Sequence, residues 1–91
     1  MNKNYEMSID SIFQLDSRNL TAFGGKLKSF KKERIVDSQA HLIIDGKVEK
    51  VVSRVYEVIF SNGLRSLETY DRVNLTQKFI DNHDCKLVGI D

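Results

Sequence analysis

The sequence predicts a small, mainly β domain of antiparallel strands with one or two short helices. Three observations carry that expectation. Apolar and polar residues alternate in several segments, two Asx-Gly pairs sit between β-prone runs, and five valines crowd residues 48–58. Strand side chains alternate between two faces, whereas helical ones recur every three or four residues, so the period separates the two states.

The first segment alternates clearly. Tyr5, Met7, Ile9, Phe13 and Leu15 occupy odd positions, and Glu6, Ser8, Asp10, Gln14 and Asp16 even ones. This predicts a half-buried strand, bent near Ser11-Ile12. Asp16 is then placed to cap a short helical turn, Ser17 to Phe23, which Gly24 would end. Lys26 to Phe30 is polar and basic, and reads as an exposed loop or the start of a further strand.

From Arg34 to Ile44 the even positions Val36, Ala40, Leu42 and Ile44 are expected to line one face. Asp45-Gly46 follows, and this pair favours a tight hairpin because both central residues need positive φ. Residues 48–59 are ambiguous. Val48, Val51, Val52, Val55, Val58 and Ile59 match an amphipathic helix, yet five β-branched valines lose rotamer freedom there and favour a strand. A strand with a bulged start near Lys47–Lys50 is preferred; the alternative is an α+β fold with residues 47–60 helical.

Asn62-Gly63 between 56–60 and 64–70 predicts a second hairpin. Asn74 with Gln77 resembles a capping box, which predicts a helix over Leu75–Asp81. Asn82-His83-Asp84 then forms a loop before a closing strand, Cys85 to Ile90.

Composition bounds the function. At 91 residues, 41% hydrophobic, with 14 basic and 13 acidic side chains and net charge +1, the chain suits one globular domain over 1–91. The longest apolar runs, Leu42-Ile43-Ile44 and Val58-Ile59-Phe60, are far short of the ~20 residues a membrane helix needs. The N-terminus lacks the apolar core of a secretory signal, and a single cysteine, Cys85, permits no intrachain disulfide. A cytoplasmic location is the expectation.

Tyr56-Glu-Val58-Ile-Phe60-Ser-Asn62-Gly63, followed by Asp71-Arg-Val73, resembles the central hairpin of Tudor-like and other SH3-like small barrels. The resemblance covers about 18 of 91 residues and implies a five-stranded barrel that binds rather than catalyses. Tudor domains that read methylated side chains use an aromatic cage. Within the matching stretch this chain supplies Tyr56, Phe60 and Tyr70, has no tryptophan, and carries Asn62 where aspartate is usual.

Catalytic and cofactor motifs are missing. His83, Asp84 and Cys85 are consecutive with His41 far off, which is not a metal-ligand spacing, and no Cys–His pair is evident from spacing. Gly24-Gly25-Lys26 lacks the phosphate-wrapping loop and reads as a turn; Asp81 and Asp84 read as solvated surface. No enzyme activity, cofactor or metal is therefore expected.

The candidate partner-binding residues are Lys26, Lys28, Phe30, Lys31, Lys32 and Arg34, five cations around one aromatic ring. The leading expectation is a small interaction protein, an inhibitor or adaptor of the type small standalone chains of phages and mobile elements often are, that docks on a partner protein and modulates it. The alternative is a nucleic-acid-binding module in which segment 26–34 tracks phosphates. No membrane contact is expected, and oligomeric state is not legible.

Overall fold

A computed structural model describes residues 3–15, 19–30 and 34–90. Six strands and one helix follow in the order β1 (Lys3–Leu15), β2 (Leu20–Ser29), β3 (Ser38–Ile44), β4 (Lys47–Ile59), β5 (Arg65–Thr69), α1 (Gln77–Asn82) and β6 (Cys85–Ile90). All pairings are antiparallel, and the sheet closes into a barrel in the order β1-β2-β5-β4-β3-β6. The mainly β expectation therefore holds. Only β3-β4-β5 forms a meander; β6 returns between β3 and β1, and the barrel has six strands where the resemblance implied five. Among the described residues no helix is long and apolar enough to cross a membrane.

Both hairpins form where the Asx-Gly pairs stand. Asp45 and Gly46 take φ of 50° and 84°, the positive values a two-residue turn of matching twist demands. At the second, Gly63 N–H donates to the Phe60 carbonyl at 2.9 Å with φ of 86°, and Phe60 N–H donates to Leu64 O at 2.8 Å. That is a type I turn closed by a glycine bulge, a three-residue loop. Residues 47–59 are a strand and not a helix: β3 pairs along its first part and β5 along its last, the extended state that β-branched valines favour.

Four expectations are corrected. The helical turn over Ser17–Phe23 is not formed where it is described: Leu20 to Phe23 open β2, and Asp16, the proposed cap, lies outside the described residues with Ser17 and Arg18. Local capping signals lost to pairing with β1 and β5. Lys26 to Ser29 continue that same strand.

Second, Phe13 and Leu15 do not join Tyr5, Met7 and Ile9 in the core. Ile9 pairs with Gly25 but Ser11 with Gly24, so Asp10 is an extra residue and the alternation changes phase. Ile12 turns inward and Phe13 outward. Gly25 makes the bulge possible: a Cβ there would lie 1.8 Å from Ser8 O.

Third, Val36 is 71% exposed while Ile35 is buried, because the chain is irregular there and straightens into β3 only at Ser38. Fourth, the helix cap is Thr76, not Asn74. Thr76 Oγ1 accepts from Phe79 N–H at 3.1 Å, while the Gln77 amide reaches β1, accepting from Ile12 N–H and donating to Asp10 O.

The core is continuous: Tyr5, Met7, Phe23, Leu42, Val52, Val55, Leu67, Val73 and Leu87 fill the barrel, and Ile80 of α1 plugs against it. Polar side chains stitch one end. Thr69 Oγ1 donates to Ser53 O and the Asp71 carboxylate accepts from Ser53 N–H, both at 2.6 Å. This clamp holds a bulge whose next residue, Arg54, takes a φ of 53°.

Candidate interaction surface

The strand registers decide which side chains share the exterior. Ile12, Phe23, Leu67 and Glu57 form one row across β1, β2, β5 and β4, and all four are buried inside the barrel. One residue along, Phe13, Ala22, Glu68 and Tyr56 make the complementary row facing out. Leu15 stands one period beyond Phe13 on β1, and the β4–β5 hairpin adds Phe60 and Leu64.

The result is a groove of about 470 Å³ on the barrel exterior. Ala22, Gly24 and Gly25 make its floor, and Phe13, Leu15, Phe60 and Leu64 its walls. The walls are open to solvent, with Phe13 60%, Phe60 50% and Leu64 64% exposed. Small residues on the floor follow from the packing below, since a Cβ on Gly24 would lie 2.4 Å from Ser11 Oγ. Arg65, Ser66 and Glu68 supply the polar end.

Glu68 also borders a second, aromatic patch. Its carboxylate accepts from the Tyr56 hydroxyl at 2.8 Å, and the Tyr56 and Tyr70 rings lie 5.7 Å apart, tilted by 34°. Burial first, and then the Glu68 carboxylate, push the Tyr56 phenol well above its ordinary range. The clamped bulge aims Arg54 so that its guanidinium sits 5.3 Å from the Tyr70 ring centre. Tyr56 and Tyr70 are thus together, but Phe60 belongs to the groove and Arg54 already covers Tyr70. The three rings form no cage around a common point.

The basic segment is divided. Lys26 and Lys28 are exposed on the outer face of β2, in line with Ala22 and Gly24, and Phe30 extends the β1–β2 ladder through Phe30 N–H to Asn4 O at 3.0 Å. Lys31 and Lys32 lie outside the described residues. Arg34 serves the barrel: its guanidinium donates to Glu57 O at 3.2 Å. Sequence reasoning missed Phe13, Leu15 and Leu64 as surface groups, because the bulge that turns the first two outward is set by the strand opposite.

Glu57 is a structural charge. At 3% exposure its carboxylate accepts from Ile35 N–H at 3.3 Å and is paired with Arg65 Nε. Burial alone would raise its pKa, but Arg65, the Ile35 N–H and Arg34 together outweigh that and hold it below the usual carboxylate range. At the far hairpin, His83 Nδ1 meets Asp45 Oδ2 at 2.7 Å and its ring stacks on Phe79 at 3.9 Å. Cys85 packs into the core, and burial pushes its thiol up, with Asp45 and Asp84 adding to the effect. No group of three His, Cys, Asp or Glu among the described residues is placed to hold a metal ion.

No protein-family model, curated protein or solved structure matches the chain. The class the geometry defines is a small closed antiparallel barrel with an apolar, aromatic exterior face.

Proposed function

We propose that the chain is a non-catalytic interaction protein that docks on a partner protein through the outer face of β1, β2, β5 and β4, and modulates that partner. The observation that carries this reading is the exposure of Phe13, Leu15, Phe60, Leu64 and Tyr70 on one side of a barrel whose core is otherwise closed. Monomeric proteins seldom leave so many large apolar groups contiguous, and Tyr and Arg, here Tyr56, Tyr70 and Arg54, are the residues that anchor interfaces. The SH3-like resemblance of 56–73 fits the same reading, as small barrels of that kind bind through exterior strands and loops.

Nucleic acid is the less favoured partner for the same face. Glu68 stands in its middle and Leu15 and Leu64 in its walls, where phosphates gain nothing.

The test is capture from an extract of the source cells on the immobilised protein, run beside the Phe13→Asp/Leu64→Asp double variant. Both positions are exposed, so thermal stability should stay within about 0.5–1 kcal/mol of the parent. A stoichiometric protein retained by the parent and lost on the variant is expected. Retention that the two aspartates leave unchanged would overturn the assignment of this face.

A further inference from the structure

We infer that the occupant of the groove is an extended, acidic segment of the partner, laid along the open edge of β2 with a large apolar side chain anchored between Phe13, Phe60 and Leu64. This rests on the preceding reading of the face and names the chemistry it selects.

The open edge comes from the register. Strand β5 pairs with β2 only at Thr21, Ala22 and Phe23, yet β2 runs on to Ser29. From Gly24 to Lys28 the strand is paired with β1 on one side, and among the described residues no strand continues the ladder on the other. A strand edge of this kind offers main-chain donors and acceptors at regular spacing to an added strand. Gly24 and Gly25 add no side chain of their own along that edge, the Cβ position of each being taken by Ser11 Oγ and Ser8 O of β1.

Charge selects the sequence of the guest. Beyond the apolar floor, the outer face of β2 continues as Lys26 and Lys28, while Arg65 at the groove's polar end is already paired with Glu57. Three carboxylates are near: Asp10, exposed at the bulge beside Gly25, Glu6, across from Lys28, and Glu68, held by the Tyr56 hydroxyl. Lys26 faces Ser8 instead and has no carboxylate across the ladder. An extended guest with one apolar anchor over Gly24 therefore brings its neighbouring side chains over Lys26 and Lys28, where acidic residues are attracted and basic ones repelled.

Selection from a random 16-residue peptide library displayed on phage, against the full chain, tests this. The enriched consensus, resynthesised with a fluorescent label, is titrated by anisotropy at low and high salt. The expected consensus joins a large apolar residue to two or more acidic ones. Its affinity should fall at least tenfold on Phe60→Ala/Leu64→Ala, and at least tenfold on Lys26→Glu/Lys28→Glu, and weaken with salt. Consensus peptides without acidic residues, or indifferent to Lys26→Glu/Lys28→Glu, overturn the inference while leaving the docking face intact if Phe60→Ala/Leu64→Ala still weakens them. Peptides indifferent to both variants, or displaced by single-stranded oligonucleotide, overturn the inference and the protein-docking reading together. A concentration-dependent dimer that blocks peptide binding would make a second copy the occupant and overturn it as well.

Discussion

Gly89→Ala is expected to destabilise the barrel by about 2–4 kcal/mol, a large share of what a domain of this size possesses. A Cβ on Gly89 would lie 2.1 Å from Tyr5 Cε2 and 2.6 Å from Tyr5 Cζ, inside the ring's own atoms. Tyr5 has nowhere to go. It is 1% exposed, and its hydroxyl shares a hydrogen with Ser38 Oγ at 2.8 Å, which in turn donates to Val55 O at 3.3 Å. One ring therefore ties β1 to β3 and β4 across the barrel end, lying flat on β6. Displacing it costs packing and leaves the Ser38 hydroxyl to find another partner, about 1 kcal/mol on its own.

Urea midpoints for Gly89→Ala, Tyr5→Leu and the double variant measure the contact. The double should be clearly less unstable than the sum of the two, because residues in contact couple by about 0.5–3 kcal/mol. Additive values would mean that Tyr5 does not rest on Gly89.

Arg65→Ala is the second large effect, and its signature is a reversed pH dependence. In the parent, Glu57 has a folded-state pKa below its unfolded one. Its pair then adds stability at neutral pH, and that contribution fades once pH falls below the ordinary carboxylate value of about 4.3 toward the lower folded one. Without Arg65 the carboxylate keeps only the Ile35 N–H and the more distant Arg34, and burial becomes the dominant influence, so the folded pKa rises above the unfolded one. The variant should be weaker by about 2–4 kcal/mol at pH 7, the lower part being expected because the Arg65 side chain is itself 37% exposed. As pH falls from the raised folded value toward about 4.3, the variant should regain stability over the range in which the parent keeps its own. Urea midpoints of both proteins between pH 4 and 7 check this; parallel pH profiles would show that Glu57 does not depend on Arg65.

These two sites mark the limit of what the residues tell by themselves. Strand Cys85–Ile90 and both Asx-Gly turns are local properties and were readable, whereas 47–59 matched helix and strand alike and only β-branching favoured the strand that forms. A bend near Ser11-Ile12 was readable, but not that Asp10 is an extra residue that reverses the alternation, because this depends on Gly25 approaching Ser8, 17 positions away in the chain. That one extra residue decides whether Phe13 and Leu15 are core or surface, and so decides the candidate face. The supposed turn at Ser17–Phe23 failed for a related reason. Asp16 and Gly24 resemble helix boundaries locally, but Gly24 is there to clear Ser11 in the neighbouring strand. Of the basic segment, Lys26 and Lys28 were legible as exposed cations, whereas the attachment of Arg34 to the Glu57 carbonyl required the barrel to close.

The most direct measurement places a photoreactive benzoylphenylalanine at Leu64, in the groove wall, and in a separate protein at Lys47, exposed at the β3–β4 turn and at the opposite end of β4 from Phe60. Irradiation in extract of the source cells should yield one discrete, stoichiometric adduct with a single protein from position 64 and none from position 47. Adducts formed equally from both positions, or from 47 alone, would contradict a docking surface on β1, β2, β5 and β4.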